Sequence, residues 1–193
     1  MYKLKIIISS TRPGRKGPAI ADWIFNIAKQ YKDFDVEIVD LAEVNLPFLD
    51  EPLHPRLQKY ENQHTKKWSR LIDEADAFIF VTAEYNHGYT APLKNAIDYL
   101  YNEWKNKPAA FISYGGISAG TRAVQALKQV LNTLKMVPVT EAVNIPFFFK
   151  YINDENVFVA EESMIKGANV MLSELLNWTI TLKEIREEKL QSV

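Results

Sequence analysis

Five short apolar runs, rich in β-branched and aromatic residues, recur along this chain of 193 residues, and stretches with helical periodicity separate them. The runs are residues 4–9, 36–39, 77–82, 109–113 and 137–143. Continuous apolar runs of this length are typical of strands buried on both faces of a sheet. Since short strands that alternate with helices pair in parallel, the sequence predicts a three-layer α/β/α sandwich around a five-stranded parallel sheet.

The stretches between the runs repeat apolar residues every three or four positions, as amphipathic helices do. Helices are expected from Pro18 onward and over residues 68–75, 91–104, 123–134 and 161–188. Residues 42–55 contain three prolines and predict an irregular excursion, and residues 145–149 predict an aromatic loop. No internal repeat or linker interrupts this order, so we expect a single domain over residues 1–193.

Charge and cysteine content exclude several classes of function. The chain has 23 Lys and Arg against 24 Asp and Glu, a net charge of −1, which gives no general field for nucleic acid or anionic lipid. It has no cysteine, so disulfides, thiolate nucleophiles and iron–sulfur clusters are excluded. Three histidines without ligand spacing predict no metal site. No apolar run is long enough to span a bilayer, and we expect a soluble, cytoplasmic protein.

In parallel sheets of this kind, ligands bind outside the carboxyl ends of the strands, where the strand order switches. The loops after the first, third and fourth strands are residues 10–17, 84–90 and 114–120. They are also the three loops of most unusual composition in the chain. The sequence therefore predicts that the functional site lies where these three loops meet.

The first loop combines three hydroxyls, Ser9, Ser10 and Thr11, with two arginines, directly before a helix. Helix amides and a guanidinium favour an anion at such a place, although a solvated basic turn would have a similar composition. The loop has neither the P-loop pattern nor GxGxxG, which favours a terminal monophosphate over a triphosphate or a dinucleotide. Arg15 and Lys16 favour NADPH over NADH, because they could meet a 2′-phosphate.

The second and third loops suit a planar heterocycle. Tyr85 and Tyr89 flank Asn86-His87-Gly88, where aromatic rings can stack and amides near glycine can approach a ring, or where the aromatics could simply pack. The third loop contains Gly-Ile-Ser-Ala-Gly, which matches the nucleophile elbow GxSxG. No histidine follows Ser118, so the order of a hydrolase triad fails and Ser118 is assigned no chemical step.

Four segments resemble the NADPH-dependent FMN reductase family of the flavodoxin-like fold. They are Ser10-Thr11-Arg12, Glu84-Tyr85-Asn86-His87-Gly88-Tyr89, the long run from Pro92-Leu93-Lys94-Asn95 to Asn102-Glu103-Trp104, and Tyr114-Gly115-Gly116. The resemblance covers about residues 3–145, and the run from Pro92 is its most specific part. It implies the flavodoxin-like strand order 2-1-3-4-5.

The resemblance also implies a cofactor and the residues that bind it. Bound FMN would have its phosphate held in the first loop, one edge of its isoalloxazine lined by the second loop, and its pyrimidine end met by the third. The implied phosphate residues are Ser10, Arg12 and Gly17; the ring-edge residues are Glu84, Tyr85, Asn86 and His87; the pyrimidine-end residues are Gly115 and Gly116; Thr11 and Tyr114 complete the set. The implied activity is hydride transfer from NADPH or NADH to the flavin, followed by two-electron reduction of quinone, azo, metal-ion or flavin acceptors.

Three further expectations concern mechanism and assembly. Because the glycine-bearing loops leave one face of the ring open, donor and acceptor would use that face in turn, giving ping-pong kinetics. The resemblance implies a homodimer, and the aromatic residues Tyr99, Tyr101 and Trp104 offer more surface than one buried stripe needs, unless all three pack internally or against residues 147–149. The alternative hypothesis is a non-enzymatic flavodoxin-like electron carrier, against which the balanced charge weighs.

Overall fold

The computed structural model of this chain describes residues 1–191, with side chains through residue 188. Its five strands all pair in parallel in the order β2-β1-β3-β4-β5, which confirms the predicted sheet and its strand order. The strands are β1 (Tyr2–Ile8), β2 (Phe34–Asp40), β3 (Ala77–Ala83), β4 (Pro108–Tyr114) and β5 (Val137–Ile145). The helices are α1 (Gly17–Ala28), α2 (Leu41–Val44), α3 (Gln63–Asp73), α4 (Ala91–Asp98), α5 (Thr121–Thr133) and α6 (Glu162–Gln191).

The central strands are buried on both faces, and their side chains alternate between two apolar clusters. In β1, Ile6 and Ile8 pack on the side of α1 and α6, while Ile7 packs on the side of α3, α4 and α5. The same alternation in β4 places Phe111 with the second cluster and Tyr114 with the first. This period of two follows from the pleat of a strand, and it directs the Tyr114 side chain towards the start of α1.

The predicted helix over residues 91–104 is shorter than expected. Helix α4 ends at Asp98, and Asn102–Trp104 form a separate 3₁₀ turn. The last carbonyls of α4 are taken by indoles: Trp68 Nε1 donates to Ala96 at 2.8 Å, and Trp104 Nε1 donates to Ile97 at 3.2 Å. These side-chain partners satisfy carbonyls that a longer helix would satisfy internally, so the chain can turn there.

Two of the three aromatic residues suggested as a dimer surface lie inside this chain. Tyr99 and Trp104 are fully buried. Tyr101 is half-buried, and the Arg56 guanidinium lies 4.4 Å from the centre of its ring. Tyr99 and Trp104 therefore pack internally and Tyr101 does so in part, and their aromatic neighbours include His64, Phe78 and His54.

Two segments expected to be irregular contain short helices. Asp40 accepts a hydrogen bond from the Ala42 amide at 2.9 Å and so starts α2, which ends at the left-handed residue Asn45. A 3₁₀ turn, Pro55–Leu57, follows later in the excursion, and another, Phe148–Tyr151, lies within and beyond the predicted aromatic loop. Among the described residues, no helix combines the length and apolar character needed to cross a bilayer.

Candidate functional site

The loops after β1, β3 and β4 meet at the carboxyl edge of the sheet, as predicted, and side-chain hydrogen bonds join the first two. Ser9 Oγ donates to Thr82 Oγ1 at 3.1 Å, and Thr90 Oγ1 donates to the Ser9 carbonyl at 2.8 Å. Ser10 Oγ and the Tyr85 hydroxyl lie 2.6 Å apart in a further hydrogen bond. Ser9 and Ser10, both fully buried, thus connect the first loop to the second.

The exposed part of the first loop is Thr11 to Gly14, while Ser10 is fully buried. The Arg15 amide donates to the Arg12 carbonyl at 3.1 Å, which closes a turn with Gly14 in the left-handed region. The Arg12 side chain makes no ion pair or hydrogen bond with any residue in the described part of the chain. Arg12 is therefore a free cation beside the start of α1.

Arg15 and Lys16, which the sequence suggested for a 2′-phosphate, are both engaged within the chain. The Arg15 guanidinium donates to the Ser10 carbonyl at 3.2 Å and forms an ion pair with Asp40, with both side chains largely buried. Lys16 Nζ donates to the Asn156 side chain. Arg15 thus fixes the shape of the loop. Because both cations have partners within the chain, they no longer support the prediction that the protein prefers NADPH over NADH.

The start of α1 forms a cradle that contains an unpartnered hydroxyl. Lys16 precedes the helix without a side-chain cap, and a methyl group on Gly17 would lie 2.9 Å from Ile8 Cγ2 and 3.1 Å from the Tyr114 hydroxyl. That hydroxyl is buried and makes no hydrogen bond of ordinary geometry with the described residues, a condition shared only with Thr65 in α3. The Ser10 hydroxyl lies near it but is hydrogen-bonded to Tyr85. Burial raises the pKa of Tyr114, so the hydroxyl stays protonated and can donate.

The second loop contains a tight hairpin turn that holds Asn86 and His87 at its tip. Tyr85 and Gly88 exchange both backbone hydrogen bonds, at 2.9 and 3.0 Å, with two residues between them. Those two residues, Asn86 and His87, have φ of 49° and 68°, the pattern of a type I′ turn. Asn86 and His87 are exposed at the tip, and Tyr85 is 40% exposed with its hydroxyl directed back to Ser10.

The two adjacent glycines at the start of the third loop, Gly115 and Gly116, differ in what they can offer a ligand. The Gly115 amide donates to the Ile145 carbonyl at 3.2 Å. The expectation that this amide would be free to meet a ring is therefore not met. Gly116 is exposed, and its carbonyl accepts from the Phe147 amide at 3.1 Å. The aromatic segment from Phe147 therefore lies against this loop, and Gly116 is the residue that remains accessible.

Glu84 does not present its carboxylate to the site. Its side chain is 4% exposed, and it accepts hydrogen bonds from Ser118 Oγ at 2.9 Å, Arg122 Nε at 2.6 Å and the Arg122 amide at 3.2 Å. Burial opposes the charge of this carboxyl, but the hydrogen bonds from Arg122 and Ser118 outweigh it and lower the pKa. Ser118 thus donates to a carboxylate, which agrees with assigning it no chemical step.

Sequence reasoning missed Asp40 and Arg122, the partners that fix the first and third loops. Arg122 did carry a signal, because a cation in the first turn of a helix opposes the helix dipole and so indicates an acidic partner nearby. Asp40 carried none, since it is an ordinary acidic residue at the end of a strand. Its pairing with Arg15 depends on the adjacency of β1 and β2.

A cavity of 510 Å³ adjoins the first loop on the side of α2 and α4. Its lining contains no charged residue and is mostly apolar. The lining residues are Thr11, Leu41, Ala42, Asn45, Leu46, Pro47, Phe48, Ala91, Pro92 and Asn95. Its size is in the range of pockets that hold small organic ligands.

Comparison with known proteins agrees with this geometry. A model of the family described as NADPH-dependent FMN reductase matches residues 2–150. The chain is 44% identical over 148 residues to the NAD(P)H-dependent FMN reductase C4B3.06c of Schizosaccharomyces pombe, covering 75% of this chain and 74% of that one. It is 32% identical over 134 residues to an NAD(P)H:quinone oxidoreductase of Solanum tuberosum, covering 67% of each chain.

Among solved structures, the fold is similar to that of FerB, a flavoenzyme NAD(P)H:(acceptor) oxidoreductase from Paracoccus denitrificans. The TM-score is 0.75 at 20% identity, and the match covers 94% of this chain and 98% of that one. At this identity the likeness supports the fold alone.

Proposed function

The chain belongs to the NADPH-dependent FMN reductase family, oxidoreductases that use FMN with NAD(P)H as donor, and from that premise we propose which of its residues serve the reaction. The FMN phosphate lies at the start of α1, against Ser10, Thr11, Arg12 and Gly17. The isoalloxazine lies between the hairpin turn of the second loop and Gly116. Membership of an enzyme family also decides against the alternative of a non-enzymatic electron carrier.

The observation that carries this proposal is the buried, unpartnered hydroxyl of Tyr114. Leaving such a group without an acceptor costs on the order of 1–3 kcal/mol. It lies beside Gly17, whose lack of a side chain lets Ile8 and the Tyr114 hydroxyl pack directly against the start of α1. A phosphate oxygen at this place would accept from Tyr114, from the free amides of α1 and from Arg12, and the helix dipole would favour its charge.

The ring residues of this chain would act by shape and hydrogen bonding. The type I′ turn fixes the Asn86 and His87 backbone, and the Tyr85 side chain closes the side of the first loop. Gly116 leaves room for a ring edge to approach the backbone. When bound, FMN supplies the two-electron chemistry between donor and acceptor, so these side chains need to position and do not need to react.

The acceptors are proposed to be small molecules, with uncharged planar quinones as the main class and azo compounds, metal ions or free flavin as the wider set. The neutral, mostly apolar lining of the cavity beside Thr11 favours such molecules. The relative from Solanum tuberosum is itself named as a quinone oxidoreductase.

The experiment that tests the function is FMN titration of the apoprotein, followed by NADPH and NADH oxidation with a quinone. We expect saturable FMN binding and quinone-dependent oxidation of the donor without any other protein. Protein that binds no FMN would contradict the assignment of the site. Protein that binds FMN but does not oxidise either donor would contradict its use as an NAD(P)H oxidoreductase.

A ping-pong mechanism is part of the proposal, because one open ring face would serve donor and acceptor in turn. Initial rates at several fixed quinone concentrations test it. Parallel double-reciprocal lines are expected, and intersecting lines would show that both substrates bind together.

We also propose a homodimer in the cytoplasm. Since Tyr99 and Trp104 are buried, the dimer needs apolar surface elsewhere, and the chain exposes Phe48, Leu53 and Leu57 in the segment beside the cavity. Sedimentation velocity at micromolar concentration tests the assembly, and a monomer would contradict it.

A further inference from the structure

The carboxylate of Glu84 is fully committed within the protein although it begins the second loop of the site. Four hydrogen bonds or ion-pair contacts reach its two oxygens, all from Ser118 and Arg122. Its side chain is 4% exposed, whereas that of Arg122 is 46% exposed. The pair therefore has one buried member that depends on the other for its charge balance.

These contacts connect the second loop to the third loop and to α5. Ser118 lies in the third loop, and Arg122 lies in the first turn of α5. Gly120 precedes α5 at the N-cap position and has no side chain to cap the helix. The Glu84 carboxylate caps it instead, by accepting from the Arg122 amide. The Glu84 amide also donates to the Tyr114 carbonyl at 3.3 Å. Glu84 thus fixes the spacing between the loops proposed to hold the isoalloxazine.

We propose that Arg122 is a positioning residue for the bound cofactor, which acts by holding Glu84 between the two ring-binding loops and by cancelling its negative charge there. This inference rests on the proposed function. It deepens that proposal, since the family resemblance implies a role for Glu84 at the ring edge and none for Arg122.

The charge of Glu84 matters because the cofactor gains electrons at this place. A buried carboxylate without its cation would disfavour added negative charge nearby, since charges interact strongly in a site of low dielectric constant. The helix dipole at the start of α5 stabilises Glu84 but opposes Arg122. Arg122 is therefore placed against the local dipole, and its contacts with Glu84 account for its position.

The central test compares Arg122→Ala with the unaltered protein, by FMN titration and by the midpoint potential of the bound cofactor. We expect the FMN dissociation constant to rise about tenfold, in the range of a lost charged hydrogen bond, and the midpoint potential to become more negative. Arg122→Lys should keep the charge but lose the fork geometry, so it should recover most of the potential and part of the affinity.

A double variant separates charge from loop spacing. Glu84→Gln with Arg122→Ala removes both charges, so the midpoint potential should return to the unaltered value or above it, while FMN binding stays weaker. If Arg122→Ala alone fails to fold, the double variant still tests the positioning role, because its FMN dissociation constant should exceed that of the unaltered protein and an unchanged constant would overturn that role. Ser118→Ala keeps the ion pair, and its effect on the FMN dissociation constant should stay below about threefold.

The matched control is Arg186→Ala, which breaks another arginine–carboxylate pair, to Asp76 at 2.7 Å, at the opposite edge of the sheet. It should leave the potential and the FMN dissociation constant unchanged. An unchanged potential in Arg122→Ala, or a lowered potential that the double variant does not restore, would overturn the inference while the proposed function stands. Failure of the unaltered protein to bind FMN would overturn both.

Discussion

The polar groups at the two edges of the sheet differ in how many of them have hydrogen-bond or ion-pair partners within the protein. At the amino edge, the Asp76 carboxylate accepts from the Lys3 amide at 3.0 Å, from Arg186 at 2.7 Å and from Lys183 at 3.3 Å. The Lys107 ammonium, 4% exposed as a residue, donates to the carbonyls at the end of α3. The charges buried at this edge are matched by partners from several distant segments.

At the carboxyl edge, polar groups remain without partners. The Tyr114 hydroxyl is buried and unpaired, and the Arg12 side chain has no protein partner within the described residues. The supports of the loops, such as Glu84 with Arg122 and Arg15 with Asp40, do have their partners. The comparison shows that buried polar groups are paired at the amino edge, where they contribute to stability. Some remain unpaired at the carboxyl edge, where a ligand is proposed to bind.

The largest effect is expected at the amino edge, for Asp76→Ala. This change leaves Arg186 and Lys183 without their carboxylate, and removing one partner of a buried pair costs about 3–5 kcal/mol. Chemical denaturation should show that loss in the free energy of unfolding. The FMN dissociation constant of the folded protein should stay unchanged, and weaker binding would mean that the two edges are coupled.

At the carboxyl edge, Arg12→Ala should weaken FMN binding and leave the stability of the apoprotein almost unchanged, the reverse of the result expected for Asp76→Ala. A charged hydrogen bond to the phosphate is worth roughly 1.5–3 kcal/mol, so FMN affinity should fall about ten- to a hundredfold. Because Arg12 is exposed and unpaired within the described residues, the free energy of unfolding of the apoprotein should change by less than about 0.5 kcal/mol. An unchanged dissociation constant would exclude Arg12 from the phosphate site.

The amino edge should also show a dependence of stability on pH. Burial lowers the pKa of Lys107 to about 8, with Asp73, Asp76 and Glu103 opposing the shift and Arg186 adding to it. Between pH 8 and the ordinary lysine pKa of 10.5, the unfolded chain holds a proton that the folded chain has lost. The free energy of unfolding should therefore rise with pH in this window, by at most about 1.4 kcal/mol per pH unit.

The reference for that measurement is Lys107→Met, which removes the titrating group but keeps an unbranched side chain. Unfolding of both proteins at pH 7.5 and pH 9.5 isolates the contribution of Lys107. A difference between the two proteins that does not change with pH would mean that Lys107 keeps an ordinary pKa in the fold.

The smallest expected effect is also the sharpest, because Tyr114→Phe should change stability and binding in opposite directions. Without the unpartnered hydroxyl, the apoprotein should be more stable by about 1 kcal/mol, and FMN affinity should fall about fivefold. Thermal unfolding and FMN titration on the same sample measure the two effects. A loss of stability in the apoprotein would show that the hydroxyl has a protein partner after all.

Much of the fold could be predicted because its signals are local in sequence. Five apolar runs and the helical stripes between them specified the strands, and parallel pairing followed from their alternation. The predictions failed where an element's end depends on distant side chains. Helix α4 ends at Asp98, where the indoles of Trp68 and Trp104 donate to the Ala96 and Ile97 carbonyls. The local sequence pattern does not predict these hydrogen bonds.

The sequence by itself determined which loops form the candidate site, since the carboxyl ends of adjacent parallel strands must meet, and it determined which residue types those loops carry. Only the tertiary structure decided which of these residues are free. It placed Arg15 against Asp40 and Glu84 against Arg122, and it left Arg12 and Tyr114 without partners in the described chain. The physical reason is that a polar group's availability depends on its neighbours in space, and those come from segments far apart in the chain.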